Sequence, residues 1–190
     1  MALLSLARNK AFWLIDAMRG SLVRQAYNDI KKIDEMDSDD PFVREYQEQA
    51  WKKLKERVCR TTKAYVKYAD CGFEQFPMIT KQDIRQAQDE FMSSDFKKED
   101  LIQMSTSGST GTPFICYQNG GKKRRVNAEI IYYSEKVGYK LGDNLSYIRT
   151  VVKHNKKSGL KQFLQNQTLI QCNSLSDSGV KRLLETVQTE

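Results

Sequence analysis

Histidine is nearly absent from this chain: His154 is the only one among 190 residues. The four cysteines, Cys59, Cys71, Cys116 and Cys172, include no CxxC pair. A zinc site built from Cys and His is thereby excluded. No signal-peptide pattern opens the sequence, which points to reduced thiols and a cytoplasmic setting. Long hydrophobic runs are missing too. The start, MALLSLARNKAFWLIDAMRG, is apolar, but Arg8, Lys10 and Asp16 cut it into pieces too short to span a bilayer. Phe12 and Trp13 beside basic residues leave a helix that skims a membrane surface as an alternative. Glycine occurs only ten times, so a place where it concentrates needs a physical reason.

Against these absences stands enough bulk for a core. The apolar fraction is 39%, with two Trp, nine Tyr and eight Phe, which excludes disorder as a description of the whole. The length fits one domain, or one domain with a helical arm. The formal net charge is +7. It is spread through KKLKER, FKKED, GGKKRR and KHNKK and interleaved with acids, the pattern of a solvated surface. Nucleic-acid binding is the lesser reading, because no helix-turn-helix, RNA-recognition or zinc-finger pattern accompanies the charge.

Residues 2–34 read as one helix with a buried stripe of Leu22, Ala26, Ile30 and Ile33. An acidic break, DEMDSDDP, follows. Pro41 sits at a favoured first-turn position of a helix running to about Tyr68, with Val43, Tyr46, Ala50, Leu54, Val58 and Tyr65 inward and Gly72 as a stop. Trp51, like Phe12 and Trp13, reads as packing between helices. Thr80 and Asp83 have capping-box spacing. The helix they open turns Ile84, Ala87 and Phe91 inward, and Lys81 and Arg85 toward water or a ligand.

The character changes near Leu101. LIQMSTS and PFICYQ are β-prone segments flanking a glycine-bearing turn, so strand, loop, strand is expected. QNGGKK reads as a second turn. Val126, Ile130, Tyr133 and Val137 then follow helical spacing, the helix ending near Gly138 or Gly142. LSYIRTVVK reads as a buried strand, QTLIQCN as another, and SLSDSGVKRLLETVQ as a capped final helix. The fold class expected is α/β: N-terminal helices over 1–72, followed over 73–190 by a mixed α/β layer.

The concentration of glycine falls in STSGSTGTPF, Ser105 to Phe114. Glycine permits positive φ, so successive backbone N–H groups can turn into one concavity. Serine and threonine hydroxyls add donors without charge. Thr106, Ser107, Gly108, Ser109, Thr110 and Gly111 are therefore the candidate phosphate-binding residues, the bland alternative being a flexible hairpin tip. A Walker loop is excluded, because no Gly-Lys-Ser/Thr stands at the required distance from either glycine. The basic run Lys122 to Arg125 reads as a solvated helix start, with a phosphate contact as the alternative. Glu129 and His154 read as surface residues, with a loop anchor or ligand contact as the alternative for Glu129.

Thr106 to Pro113 resembles the phosphate loop of the adenylate-forming enzymes, a Ser/Thr/Gly-rich run closing on Gly-x-Pro. FEQFPMITKQDIRQAQDEF before it and KKRRVNAEIIYYSEKVGYKLGD after it are similar to the phenylacetate–CoA ligase branch and its relatives in capsular polysaccharide gene clusters. The resemblance covers most of residues 40–180. It implies a partial nucleotide-binding subdomain over 73–190 in which the loop cradles ATP phosphates while a carboxylate attacks the α-phosphorus. Mg²⁺ would arrive on the nucleotide, and a thiol or another nucleophile would then take the acyl group from the adenylate.

Two departures qualify what is implied. Phe114 stands where many members have Lys, so one cationic phosphate contact is missing. The family's Tyr-Gly-x-Thr-Glu motif, ribose-binding aspartate and C-terminal lysine have no counterpart up to Glu190. The resemblance therefore implies an N-terminal portion of such a ligase, inactive alone and tied to bacterial capsular or exopolysaccharide biosynthesis and its proteins. The alternative is a truncated, non-enzymatic paralogue that binds a nucleotide or a partner. The acid and the acceptor are not encoded here.

Overall fold

A computed structural model describes residues 2–106, 113–149, 158–171, 176, 178–181 and 184–185. Among the described residues the architecture is mixed α/β, mostly helical with two small sheets. Where a single helix was expected over 2–34 there are two, α1 (Ala2–Met18) and α2 (Leu22–Asp34). Gly20 at φ +93° and Ser21 at φ +57° break the chain between them, in the left-handed region where a glycine pays no steric penalty. The Asp16 carboxylate reaches over that break. It accepts from the Val23 N–H at 3.1 Å and the Arg24 N–H at 2.9 Å, so it caps the following helix from inside the preceding one. The buried stripe of α2 is accordingly Val23 and Ile30, while Leu22 is exposed.

Pro41 opens α3 (Pro41–Thr61) as the sequence indicates, and the Asp40 carboxylate caps it, accepting from the Phe42 N–H at 2.8 Å. The helix ends before Tyr68. Thr62 adopts extended backbone, and the chain re-enters as a 3₁₀ turn over Lys63–Tyr68. Val43 and Cys59 are buried, whereas Tyr46, Ala50 and Leu54 of the expected stripe are exposed. Gly72 is not a left-handed stop; its φ is −72° and it heads a 3₁₀ turn at Phe73–Gln75. That turn lets Phe73 and Phe76 meet Trp51 edge-on at 5.0 and 5.2 Å, while Tyr65 bridges Phe76 and Phe91. Aromatic contacts, not an aliphatic stripe, hold this part together.

The capping box is present: Thr80 Oγ1 accepts from the Asp83 N–H at 3.2 Å and Asp83 accepts from the Thr80 N–H at 2.7 Å. It opens α4 (Lys81–Gln86), short because Ala87 leaves helical backbone. Strands β1 (Ile102–Ser105) and β2 (Ile115–Gln118) pair antiparallel, Ile102 opposite Gln118 and Ser105 opposite Ile115. QNGGKK is a helix start rather than a turn: Asn119 Oδ1 accepts from the Lys122 N–H at 2.8 Å, and α5 spans Gly120–Lys136. The buried face of α5 is Ala128, Ile131 and Tyr132. Ile130, Tyr133 and Val137, expected inside, are exposed.

β3 (Leu145–Arg149) and β4 (Gln167–Gln171) pair in parallel around α6 (Gly159–Gln165), a helix to which the sequence assigns no residues. Leu145, Tyr147 and Ile148 are exposed, so β3 is not the buried strand expected. The sheet is only two strands wide among the described residues, too narrow to cover both faces. Of the expected final helix, residues 178–181 and 184–185 are helical; Thr150 to Lys153 of the strand reading and His154 lie outside the described residues.

The chain divides into two compact units, residues 28–127 and residues 1–27 with 128–190. The first carries α3, α4 and the β1–β2 hairpin. The second carries α1, the β3–α6–β4 crossover and an edge-to-face series from Trp13 through Tyr27 to Tyr132. In that unit Asn9 Nδ2 donates to the Leu141 carbonyl at 2.9 Å.

Candidate functional site

The hairpin β1–β2 holds the two ends of the glycine-bearing loop. Thr106 N–H donates to the Phe114 carbonyl at 3.0 Å, and Phe114 N–H donates back to Thr106 Oγ1 at 3.2 Å. The loop mouth is thus closed by a reciprocal pair, one of them through a candidate residue's side chain. The Thr106 hydroxyl accepts in this arrangement and keeps its own hydrogen to donate. Ser107, Gly108, Ser109, Thr110 and Gly111 lie outside the described residues, as does Thr112.

Phe114 is where the side chains converge. Its ring is half-buried, with the Lys81 ammonium 6.0 Å and the Arg85 guanidinium 5.9 Å from the ring centroid. Both cations sit on α4 at i and i+4, so the capping box that starts the helix also sets the face they share. Asp83 lies between them in sequence but is occupied with Thr80, whose hydroxyl and N–H hold its carboxyl below the usual range. The sequence directs Lys81 and Arg85 toward water or a ligand, without saying which neighbour they meet. Their meeting at the base of the loop was not foreseen, since nothing local in TKQDIR points to a phenylalanine some thirty positions on.

The free edge of β2 is also accounted for. With Thr106 and Phe114 exchanging bonds, alternation along an antiparallel pair turns the Ile115 and Tyr117 backbone away from β1. Gln88 Nε2 donates to the Ile115 carbonyl there, at 3.3 Å. Beside this edge lies a cavity of about 290 Å³, walled by Ile84, Phe91, Phe96, Leu101 and Tyr117, with Ser93, Cys116 and Asn119 also on its lining. Burial raises the Tyr65 pKa behind Phe91. An apolar hollow, two cations of α4 and the two ends of a hydroxyl-bearing loop thus lie around one hairpin.

The remaining candidates are scattered. Lys122 to Arg125 form the exposed first turn of α5. Glu129 is half-buried and engaged rather than a bare surface acid. Among the described residues no three His, Cys, Asp or Glu side chains group to hold a metal, and no helix is long and apolar enough to cross a membrane.

Protein CapK of Staphylococcus aureus is 39% identical to this chain over 67 residues, which is 35% of the chain and 14% of CapK. No family model matches, and no solved structure matches significantly. The similarity reaches CapK itself, and the matched stretch spans about a seventh of that protein's length.

Proposed function

We propose that the chain is the nucleotide-binding portion of an adenylate-forming ligase that activates a carboxylic acid with ATP. The observation that carries this reading is the hydroxyl and glycine octet closed at its mouth by Thr106 and Phe114, with Lys81 and Arg85 gathered on the Phe114 ring. In this reading Thr106, Ser107, Gly108, Ser109, Thr110 and Gly111 hold the β- and γ-phosphates through N–H and hydroxyl donors. Lys81 and Arg85 supply the positive charge that the Phe114 substitution takes out of the loop. The apolar cavity beside β2 receives the hydrocarbon body of the acid. A capsular or exopolysaccharide setting is supported by the similarity to CapK.

The test is calorimetry with magnesium–ATP. The chain is expected to bind it, Gly108→Val and Gly111→Val to abolish binding with an unchanged circular-dichroism spectrum, and Lys81→Ala to weaken it about tenfold, the scale of one charge-assisted hydrogen bond. Absence of binding by a well-folded wild-type chain removes the nucleotide reading altogether. Pyrophosphate exchange with a panel of carboxylic acids separates a competent ligase from a module that only binds the nucleotide.

A further inference from the structure

We propose that α1 lies on the surface of an anionic lipid bilayer, its apolar face among the acyl chains and its flanking cations against the headgroups. This is independent of the nucleotide reading. At 3.6 residues per turn, Leu3, Leu4, Ala7, Leu14, Ile15 and Met18 fall within about a third of the helix circumference. That arc faces outward: Leu3 is 85% exposed, Leu14 64% and Met18 80%. The opposite side of α1 carries the polar residues together with Phe12 and Trp13, and it is this side that touches protein. Asn9 bonds the Leu141 carbonyl, Asp16 is buried capping α2, and the Ser5 carbonyl lies where a Cβ on Gly142 would strike it. A helix that faces water carries polar residues on its outer side, not leucines. An aliphatic outer face is expected of a helix whose outer solvent is hydrocarbon.

Charge selects the occupant. Lys10 borders one edge of the arc and Arg8 the other, with Arg19 just past the end of the helix. The sole acid of α1 is Asp16, and it is 6% exposed, so the helix offers no outward carboxylate to repel lipid phosphates. A second copy of the same face would bring these cations against their equivalents, which disfavours self-pairing. The apolar surface also continues past Arg8. Its guanidinium donates to the Phe163 carbonyl at 3.1 Å and lies 5.2 Å from the Phe163 ring. On α6, Leu160, Phe163 and Leu164 are all more than 60% exposed at i, i+3 and i+4 spacing, with Lys161 beside them.

The helix lies on the bilayer rather than across it. Its 17 residues reach about 25 Å, and Arg8 and Lys10 interrupt the middle. Phe12 and Trp13, the aromatics the sequence suggested for a membrane contact, turn inward instead. Both are half-buried, stacked edge-on at 5.1 Å, with the Arg24 guanidinium 3.5 Å from the Trp13 ring centroid. Insertion therefore falls to the aliphatic residues.

Co-sedimentation of the full chain with vesicles tests this. With mixed phosphatidylcholine and phosphatidylglycerol, partitioning is expected to exceed that with phosphatidylcholine alone by at least about tenfold, and to fall as salt rises. Lys10→Gln should lower it about fivefold, the factor corresponding to about 1 kcal/mol per cation. Leu14→Glu should abolish it, whereas Met78→Glu, at a position 97% exposed in the other unit, should leave it unchanged. Near-ultraviolet circular dichroism reports whether each variant folds. The proposal is overturned by wild-type protein staying in the supernatant with both vesicles, by equal binding to both, or by Leu14→Glu binding as well as wild type. It is overturned equally by light scattering that shows a dimer which Leu14→Glu converts to monomer without vesicle binding, for then the face belongs to a second copy.

Discussion

The Tyr27 hydroxyl donates to Glu135 at 2.5 Å, within the unit that carries α1 and the β3–β4 sheet. That hydrogen bond, then burial, then the negative charge of Glu135 push the tyrosine pKa up to about 12, with Arg24 pulling the other way. The folded protein thus keeps a proton that the unfolded chain loses near the ordinary tyrosine value of about 10. Stability from this group is fully present below pH 10 and is lost as pH rises through 12. Urea unfolding across that window should therefore show wild type losing more stability than Tyr27→Phe. At neutral pH the variant should be about 1 kcal/mol less stable, the net worth of one hydrogen bond. Parallel pH curves for the two proteins would disprove the linkage.

At the scale of elements, what the sequence revealed and what it hid separate along a physical line. Features set by near neighbours were legible: Pro41 at the start of α3, the Thr80–Asp83 box, and the two β-prone segments that pair as β1 and β2. Faces were not legible, because α5 offers two apolar stripes and only tertiary partners choose between them. The stripe with the wider hydrophobic side chains, Ile130, Tyr133 and Val137, stays outside. The inner face instead uses Ala128, fully buried, beside Ile131 and Tyr132. The break after α1 was hidden for a related reason. Asp16 reads as a charge in an apolar run until its carboxylate is seen capping α2. The candidate site was half legible: the octet announced itself by composition, while the two cations on Phe114 depend on where α4 packs.

The seating of α1 depends on a second element in the same way. Gly142 has φ +103°, and a Cβ there would strike the Ser5 carbonyl of α1 and come within 3.2 Å of the Asn9 nitrogen. Gly142→Ala joins an unfavourable backbone conformation to overpacking against backbone, which cannot move aside as a side chain can. A loss of about 3 kcal/mol is expected in chemical denaturation. Gly138→Ala supplies the comparison, since it shares a positive φ of 93° but has nothing within 4 Å. It should lose only the conformational part, about 1–2 kcal/mol. Equal losses for the two variants would show that contact with α1 contributes nothing.

Taken as a whole, the molecule carries its two proposed surfaces on different units: the loop hairpin within 28–127 and the α1 face on 1–27 with 128–190. A ligand stabilises the parts whose opening would release it, so its footprint in hydrogen exchange reports where it sits. Saturating magnesium–ATP should slow exchange in β1, β2 and α4, over 102–105, 115–118 and 81–86. The β3–β4 pair, over 145–149 and 167–171, should exchange as before. Anionic vesicles should give the complementary pattern, with protection over 2–18 and 159–165 and none in the hairpin. The two footprints fail independently. Nucleotide binding by calorimetry without hairpin protection would place the phosphates away from Thr106, and the loop assignment would fall. Lipid protection confined to the basic start of α5 would show that charge alone holds the protein to the bilayer, without its aliphatic arc.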